Sequence, residues 1–238
     1  MLKRGQLSIF VLAGLALVIV VALVLSLQQP SSLPIIPVDP LTAAASQLRA
    51  CWEEHDISDI RLLGVQGGYA DPQFGLYQGL VTTAYAVKND DVLLPSRGQL
   101  EHELETLAIR SRQDCGDELV LNASSYGVRV EQGEDIVNVT ITPSNIIIRT
   151  ETTTTLTLGQ TTRQVQSQLH RIETRFGVLH ERALELATRT AIAADSIDIV
   201  QLMDDTDVRI ASVGATAYIV ALTDITARKD IEFVASYG

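Results

Sequence analysis

The chain has 238 residues, with 18 Lys and Arg against 29 Asp and Glu and a formal net charge of −11. Lys3 and Arg4 precede a long apolar run, so the part beyond it holds 16 basic against 29 acidic residues, a net of −13. That balance excludes a nucleic-acid-binding face and a polybasic patch for anionic lipid, both of which need clustered positive charge. Lysine occurs only at Lys3, Lys88 and Lys229. An acidic, lysine-poor surface fits a high-salt milieu, with coding bias as the alternative.

Residues 7–27, from Leu7 to Leu27, carry no charge. As a helix they would span about 31 Å, the thickness of a bilayer's hydrocarbon core. The preceding Lys3 and Arg4 put residues 1–6 in the cytoplasm and the rest outside. The run is longer than a secretory signal and is followed by "SLQQPSS" in place of a small-residue cleavage site, so the segment is expected to stay as a single-pass anchor in the cell membrane. Pro30, Pro34, Pro37 and Pro40 then make residues 28–40 an extended stalk. A domain over residues 41–238 follows, with sub-lobes at 41–118 and 119–238.

In that domain a helix capped by Thr42 carries Ala45, Leu48, Cys51 and Trp52 on one face, and ends at Gly64, Gly67 and Gly68. Strand-like residues 80–87 precede a turn at "KNDD". Ser96 with Gln99 reads as a capping box opening a second helix, with Leu100, Leu104, Leu107 and Ile109 as its buried face, Cys115 at its end and Gly116 as its stop. Residues 118–158 alternate, are rich in Val, Ile and Thr, and predict an antiparallel meander with Val128, Val130, Ile136, Ile141 and Ile146–Ile148 as core. The stripe Val165, Leu169, Ile172, Phe176, Leu179, Ala183, Ala187 and Ala191 predicts one long helix over 161–194. Strands at 207–213, 216–224 and 230–237 close the chain. The fold class is α+β, with an antiparallel sheet and one long helix, because the elements segregate and do not alternate.

Little here points to chemistry. His55 in "CWEEHD" and His102 in "EHELE" lack the HExxH pattern, and a metal reading of His55 with Glu53 or Glu54 would need a distant partner, so both read as a solvated helix face; His170 and His180, ten residues apart, read as surface residues; "MDDTD" at 203–207 lacks a calcium-loop pattern, and "GVQGGY" lacks the lysine of a phosphate loop. No catalytic residue, metal or cofactor is expected. The chain's two cysteines, Cys51 and Cys115, form an even pair outside the membrane, which suggests one disulfide. Asn122 in "NAS" and Asn138 in "NVT" are candidate N-glycosylation sites.

The start "KRGQLSIF" resembles the archaeal class III signal, the type IV pilin-like signal, through Lys3, Arg4, Gly5, Gln6, Ser8 and Phe10. The resemblance implies prepilin-peptidase cleavage between Gly5 and Gln6, with the apolar helix retained. Pilins usually hold glutamate where this chain has Phe10, which separates it from an ordinary filament subunit. A plain signal anchor is the alternative. The whole chain is similar to uncharacterised membrane-anchored surface proteins of archaea with reduced genomes, through Gly5–Phe10, Cys51, Leu63–Tyr69, Cys115 and Phe233–Ala235. The resemblance implies topology and location but no activity. The function expected is a non-enzymatic cell-surface protein with a structural, adhesive or envelope role. Its partners would be the bilayer through residues 7–27, envelope or surface proteins, or further copies of itself. A membrane-tethered ectoenzyme, a ligand sensor and a pilus-like filament subunit are the alternatives.

Overall fold

The structure, a computed structural model, describes residues 39–192, 206–213, 217–224 and 231–237. The anchor at 7–27, most of the stalk, the cleavage site at Gly5 and Gln6, and Asp204 and Asp205 lie outside the described residues. No helix among the described residues is long and apolar enough to cross a membrane.

The described chain is α+β. Helix α1 (Pro40–Val65) leads to strands β1 (Gly75–Gln78), β2 (Val81–Lys88) and β3 (Asp91–Val92), then helix α2 (Arg97–Ala123). Strands β4 (Arg129–Glu131), β5 (Asp135–Ile141), β6 (Asn145–Thr152), β7 (Thr155–Leu158), β8 (Thr161–Gln164) and β9 (Gln168–Glu173) precede helix α3 (Phe176–Ile192). Strands β10 (Thr206–Val213), β11 (Ala217–Asp224) and β12 (Glu232–Tyr237) finish the order. The main sheet runs β1-β2-β12-β11-β10, with β3 also on β2; β5-β6-β9 and β4-β7-β8 form two smaller sheets. All pairings are antiparallel except β2 with β12. There Ser236 Oγ donates to the Ala84 carbonyl at 2.8 Å, beside a register shift. β2 lies in the range 41–118 and β12 in 119–238, and the described residues from Pro40 onward cluster as one compact unit.

Local chemistry explains the boundaries. Pro40 stands at the first helical position of α1, where its missing N–H has no partner to lose, so the helix takes the last proline of the expected stalk and starts before Thr42. The glycine turn after α1 has left-handed backbone at Gly67 (φ 74°) and Gly68 (φ 91°). The Gly68 N–H returns to the Leu63 carbonyl at 2.8 Å, so "GVQGGY" is a helix terminus. In "KNDD", Asn89 and Asp90 both have positive φ, as a two-residue primed turn requires, and Lys88 faces Asp91 across it. The Ser96–Gln99 capping box opens α2 as expected, with both halves formed.

Three expectations are corrected. The long helix over 161–194 is two strands followed by α3. Leu169 is 55% exposed, and Gln168, His170 and Ile172 alternate inward with Leu169, Arg171 and Glu173 outward along β6. The three- and four-residue spacing is a true helical stripe only from Phe176, through Leu179, Ala183 and Ala187. Second, α2 does not stop at Gly116. That glycine makes room: a Cβ there would lie 2.3 Å from the Gln132 side chain. The helix runs on to Ala123, and Gly127 (φ 71°) caps the short turn Ser124–Tyr126. Third, Ile136 is 53% exposed and points away from the core, while Val137 and Val139 point in.

The apolar interior has two parts. The larger gathers Ile60 and Leu63 of α1, Leu100, Leu104 and Ala108 of α2, the inner faces of β5, β6 and β9, α3, and Phe233. The smaller lies under β4-β7-β8 and holds Leu41, Leu48, Trp52, Cys115, Leu119, Val128, Leu156 and Val165. Each long helix contributes one end to each part.

Candidate functional site

Between these two apolar regions both helices turn polar at the same level. On α1 the apolar stripe Leu48, Trp52, Ile60, Leu63 is interrupted by Asp56 and Asp59; on α2 the stripe Leu104, Ala108, Cys115, Leu119 is interrupted by Ser111 and Arg112. Helical spacing forces these residues inward with their neighbours. All four are buried, so they must satisfy one another.

Arg112 Nη2 donates to Asp56 Oδ1 at 2.6 Å, and both side chains are 1% exposed. His170 Nδ1, carried in by β9, lies 2.8 Å from the other Asp56 oxygen. Arg112 also donates to Thr150 Oγ1 of β6 through Nε and Nη2, both at 3.2 Å. Its guanidinium lies 5.3 Å from the Trp52 ring centre. Ser111 Oγ donates to Asp59 Oδ2 at 2.8 Å. Burial raises the Asp59 carboxyl above its ordinary value, the Ser111 hydrogen bond opposes this, and the Asp56 charge reinforces it. The belt thus joins α1, α2, β6 and β9 through charge. Such a buried pair selects one arrangement of its elements, because a shifted register would strand a charge in apolar surroundings.

A cavity of about 30 Å³ adjoins the belt, lined by Trp52, Arg112, Gln132, Asp135 and Thr154 among others. Trp52 Nε1, Arg112 Nη1 and Asp135 Oδ1 have no protein hydrogen-bond partner. The space suits water-sized occupants only.

One turn from the belt, Cys51 and Cys115 form a disulfide with 5.9 Å between their Cα atoms. It joins α1 and α2 within their length, not at their ends as the expected helix boundaries implied. His55 follows Cys51 by one turn, and its ring approaches the two sulfurs.

The other candidates separate. His102 is exposed and lies 3.6 Å from Glu105 on its own helix. His180, expected at the surface, is buried, because it follows Phe176 and Leu179 on the inward face of α3; its Nε2–H donates to the Pro95 carbonyl at 2.7 Å, and its ring meets Phe233 edge-on. Desolvation lowers its pKa, although the Pro95 bond opposes that. Asp207 pairs with Arg209 at 3.0 Å. Asn122 and Asn138, on α2 and β5, are both exposed.

The acidic run "EHELE" has a structural use that its sequence did not suggest. Glu101 Oε1 accepts from the Ile141 N–H at 2.8 Å and Glu105 Oε1 from the Val139 N–H at 3.0 Å, covering donors on the outer edge of β5. Glu103 Oε2 accepts from the Ala70 N–H at 2.9 Å. The glutamates one turn apart thus block an edge that would otherwise invite another strand.

Comparison with known proteins finds no match, whether to a family model, a curated protein or a solved structure.

Proposed function

We propose that the chain is a membrane-anchored surface protein whose domain serves a structural, adhesive or envelope-contact role without catalysis. The observation that carries this reading is the Cys51–Cys115 disulfide, which clasps the two central helices. Such bonds persist in oxidising, extracytoplasmic surroundings. The uncharged residues 7–27 after Lys3 and Arg4 supply the anchor and its orientation, and the exposed sequon asparagines are compatible with the same side. The belt's charges are turned on one another, which suits a rigid displayed module. Cleavage between Gly5 and Gln6 by a prepilin-type peptidase belongs to this proposal.

Cell fractionation followed by N-terminal sequencing tests it. The chain should sediment with membranes, resist salt and carbonate extraction, and begin at Gln6. Recovery in the soluble cytosolic fraction would refute the anchor, and a different N-terminus would refute the processing.

A further inference from the structure

We propose that the Cys51–Cys115 clasp has a second chemical state: when reduced, the two thiolates and His55 hold one divalent cation of the zinc class. The sulfur atoms and a ring nitrogen of His55 offer three donor atoms within 4.8 Å of one another. Cys51 and His55 are four residues apart on α1, so one rigid helix face presents both, and α2 presents Cys115. Tetrahedral coordination with metal–sulfur bonds of about 2.3 Å sets the donors roughly 3.5–3.8 Å apart, a spread that the cluster can meet by small side-chain rotations. Cys51 and His55 are half-buried, so the site is reachable from solvent, while Cys115 is buried behind them. Two thiolates and an imidazole form a soft-to-borderline donor set that favours zinc-class ions over magnesium or calcium.

The chemistry balances. A dithiol reduces the Sγ–Sγ bond by closing to its own disulfide and passing its two hydrogens to the sulfurs; a phosphine does so by taking the oxygen of one water to become the phosphine oxide, the two hydrogens of that water going to the sulfurs. The cation then displaces both protons and accepts a lone pair from each sulfur and from one His55 nitrogen, with water in the fourth position. The oxidised clasp has no thiolate to offer, so cation binding and the disulfide exclude each other.

The test uses the full chain in mild detergent, reduced with a phosphine, freed of reductant under nitrogen and titrated with cobalt(II). One cobalt per chain should bind, giving a thiolate-to-metal charge-transfer band and the visible bands of a tetrahedral ion. The air-oxidised chain should give neither. His55→Ala, which leaves the disulfide intact, should weaken binding by about tenfold or more once reduced. Circular dichroism in parallel reports whether α1 and α2 persist. The proposal is overturned by absent bands in a chain that keeps its helical signal, by equal binding in His55→Ala, or by equal binding in the oxidised chain. It is also overturned if the reduced chain loses its helices and cobalt does not restore them, because the site requires both helices in place. Failure here leaves the surface-protein reading untouched, since that rests on the oxidised state.

Discussion

Replacing both cysteines, Cys51→Ala with Cys115→Ala, removes the one covalent tie between α1 and α2 among the described residues. The tie closes a loop with a sequence separation of 64 residues. In the chain-entropy account, opening a loop of that size costs about 4 kcal/mol at 25 °C through the freedom returned to the unfolded chain. Cys115 also packs in the smaller apolar cluster beside Trp52 and Leu119, so losing its sulfur adds a small packing term. The belt and both cores stay in place, so the variant should still fold. Urea unfolding followed by circular dichroism, on full chains in mild detergent, measures the difference. The double variant should lose about 3–5 kcal/mol and show a larger denaturant slope, because its unlinked unfolded state exposes more surface. A loss below about 1 kcal/mol with an unchanged slope would mean that the clasp does not restrain the unfolded chain.

Arg112→Ala should destabilise by about 3–5 kcal/mol in the same assay, because it removes the guanidinium that pairs the buried Asp56 carboxylate; Arg112→Met with Asp56→Leu should recover most of the loss. Glu101→Ala with Glu105→Ala should uncover the β5 edge, costing about 3 kcal/mol in total and raising self-association by light scattering. Gly64→Ala would place a Cβ 2.1 Å from the Glu232 carbonyl oxygen and should lower the melting temperature, whereas Gly98→Ala meets open space within α2 and should raise stability by about 0.5–1 kcal/mol. The depressed pKa of His180 makes its contribution to stability fully present above the unfolded value of about 6.5 and lost as pH falls below it. Urea midpoints should therefore drop as pH falls below about 6.5, and His180→Phe should flatten that drop. Asp59, whose pKa is raised, carries the opposite sign, with its contribution lost as pH rises through its folded-state value, so the His180 term is read from the difference between variant and parent.

What the sequence made legible was what local chemistry decides. The Ser96–Gln99 box, the Gly67–Gly68 terminus, the "KNDD" turn and the succession of β10 on β11 and β11 on β12 rest on contacts between near neighbours, whereas the parallel pairing of β12 with β2 does not. Residues 161–175 went astray because Val165, Leu169 and Ile172 satisfy a helical spacing, while β6 offers a partner edge that the local pattern cannot announce. The Cys51–Cys115 pair was legible by counting, but the belt beside it was not. Asp56 and Asp59 stand in "CWEEHDISDI", which reads as a solvated face. The available signal was their place: Leu48, Trp52, Asp56, Ile60 and Leu63 step by three and four, so a carboxylate sits within an apolar stripe. Arg112 sits likewise between Ala108 and Cys115. Charges at matching levels of two apolar stripes point to a buried pair, a pairing that only the packing of α1 on α2 establishes. Glu101 and Glu105 were hidden for the same reason, since the amides that donate to them lie on a strand 40 and 34 residues away, respectively.

The most direct test of the central claim is protease shaving of intact cells, with the released fragments read by non-reducing mass spectrometry. Peptides from residues 41–238 should be released, with those bearing Cys51 and Cys115 joined and two hydrogens lighter than the reduced pair. Protection of the domain in intact cells, with both cysteines recovered as free thiols after lysis, would contradict that claim.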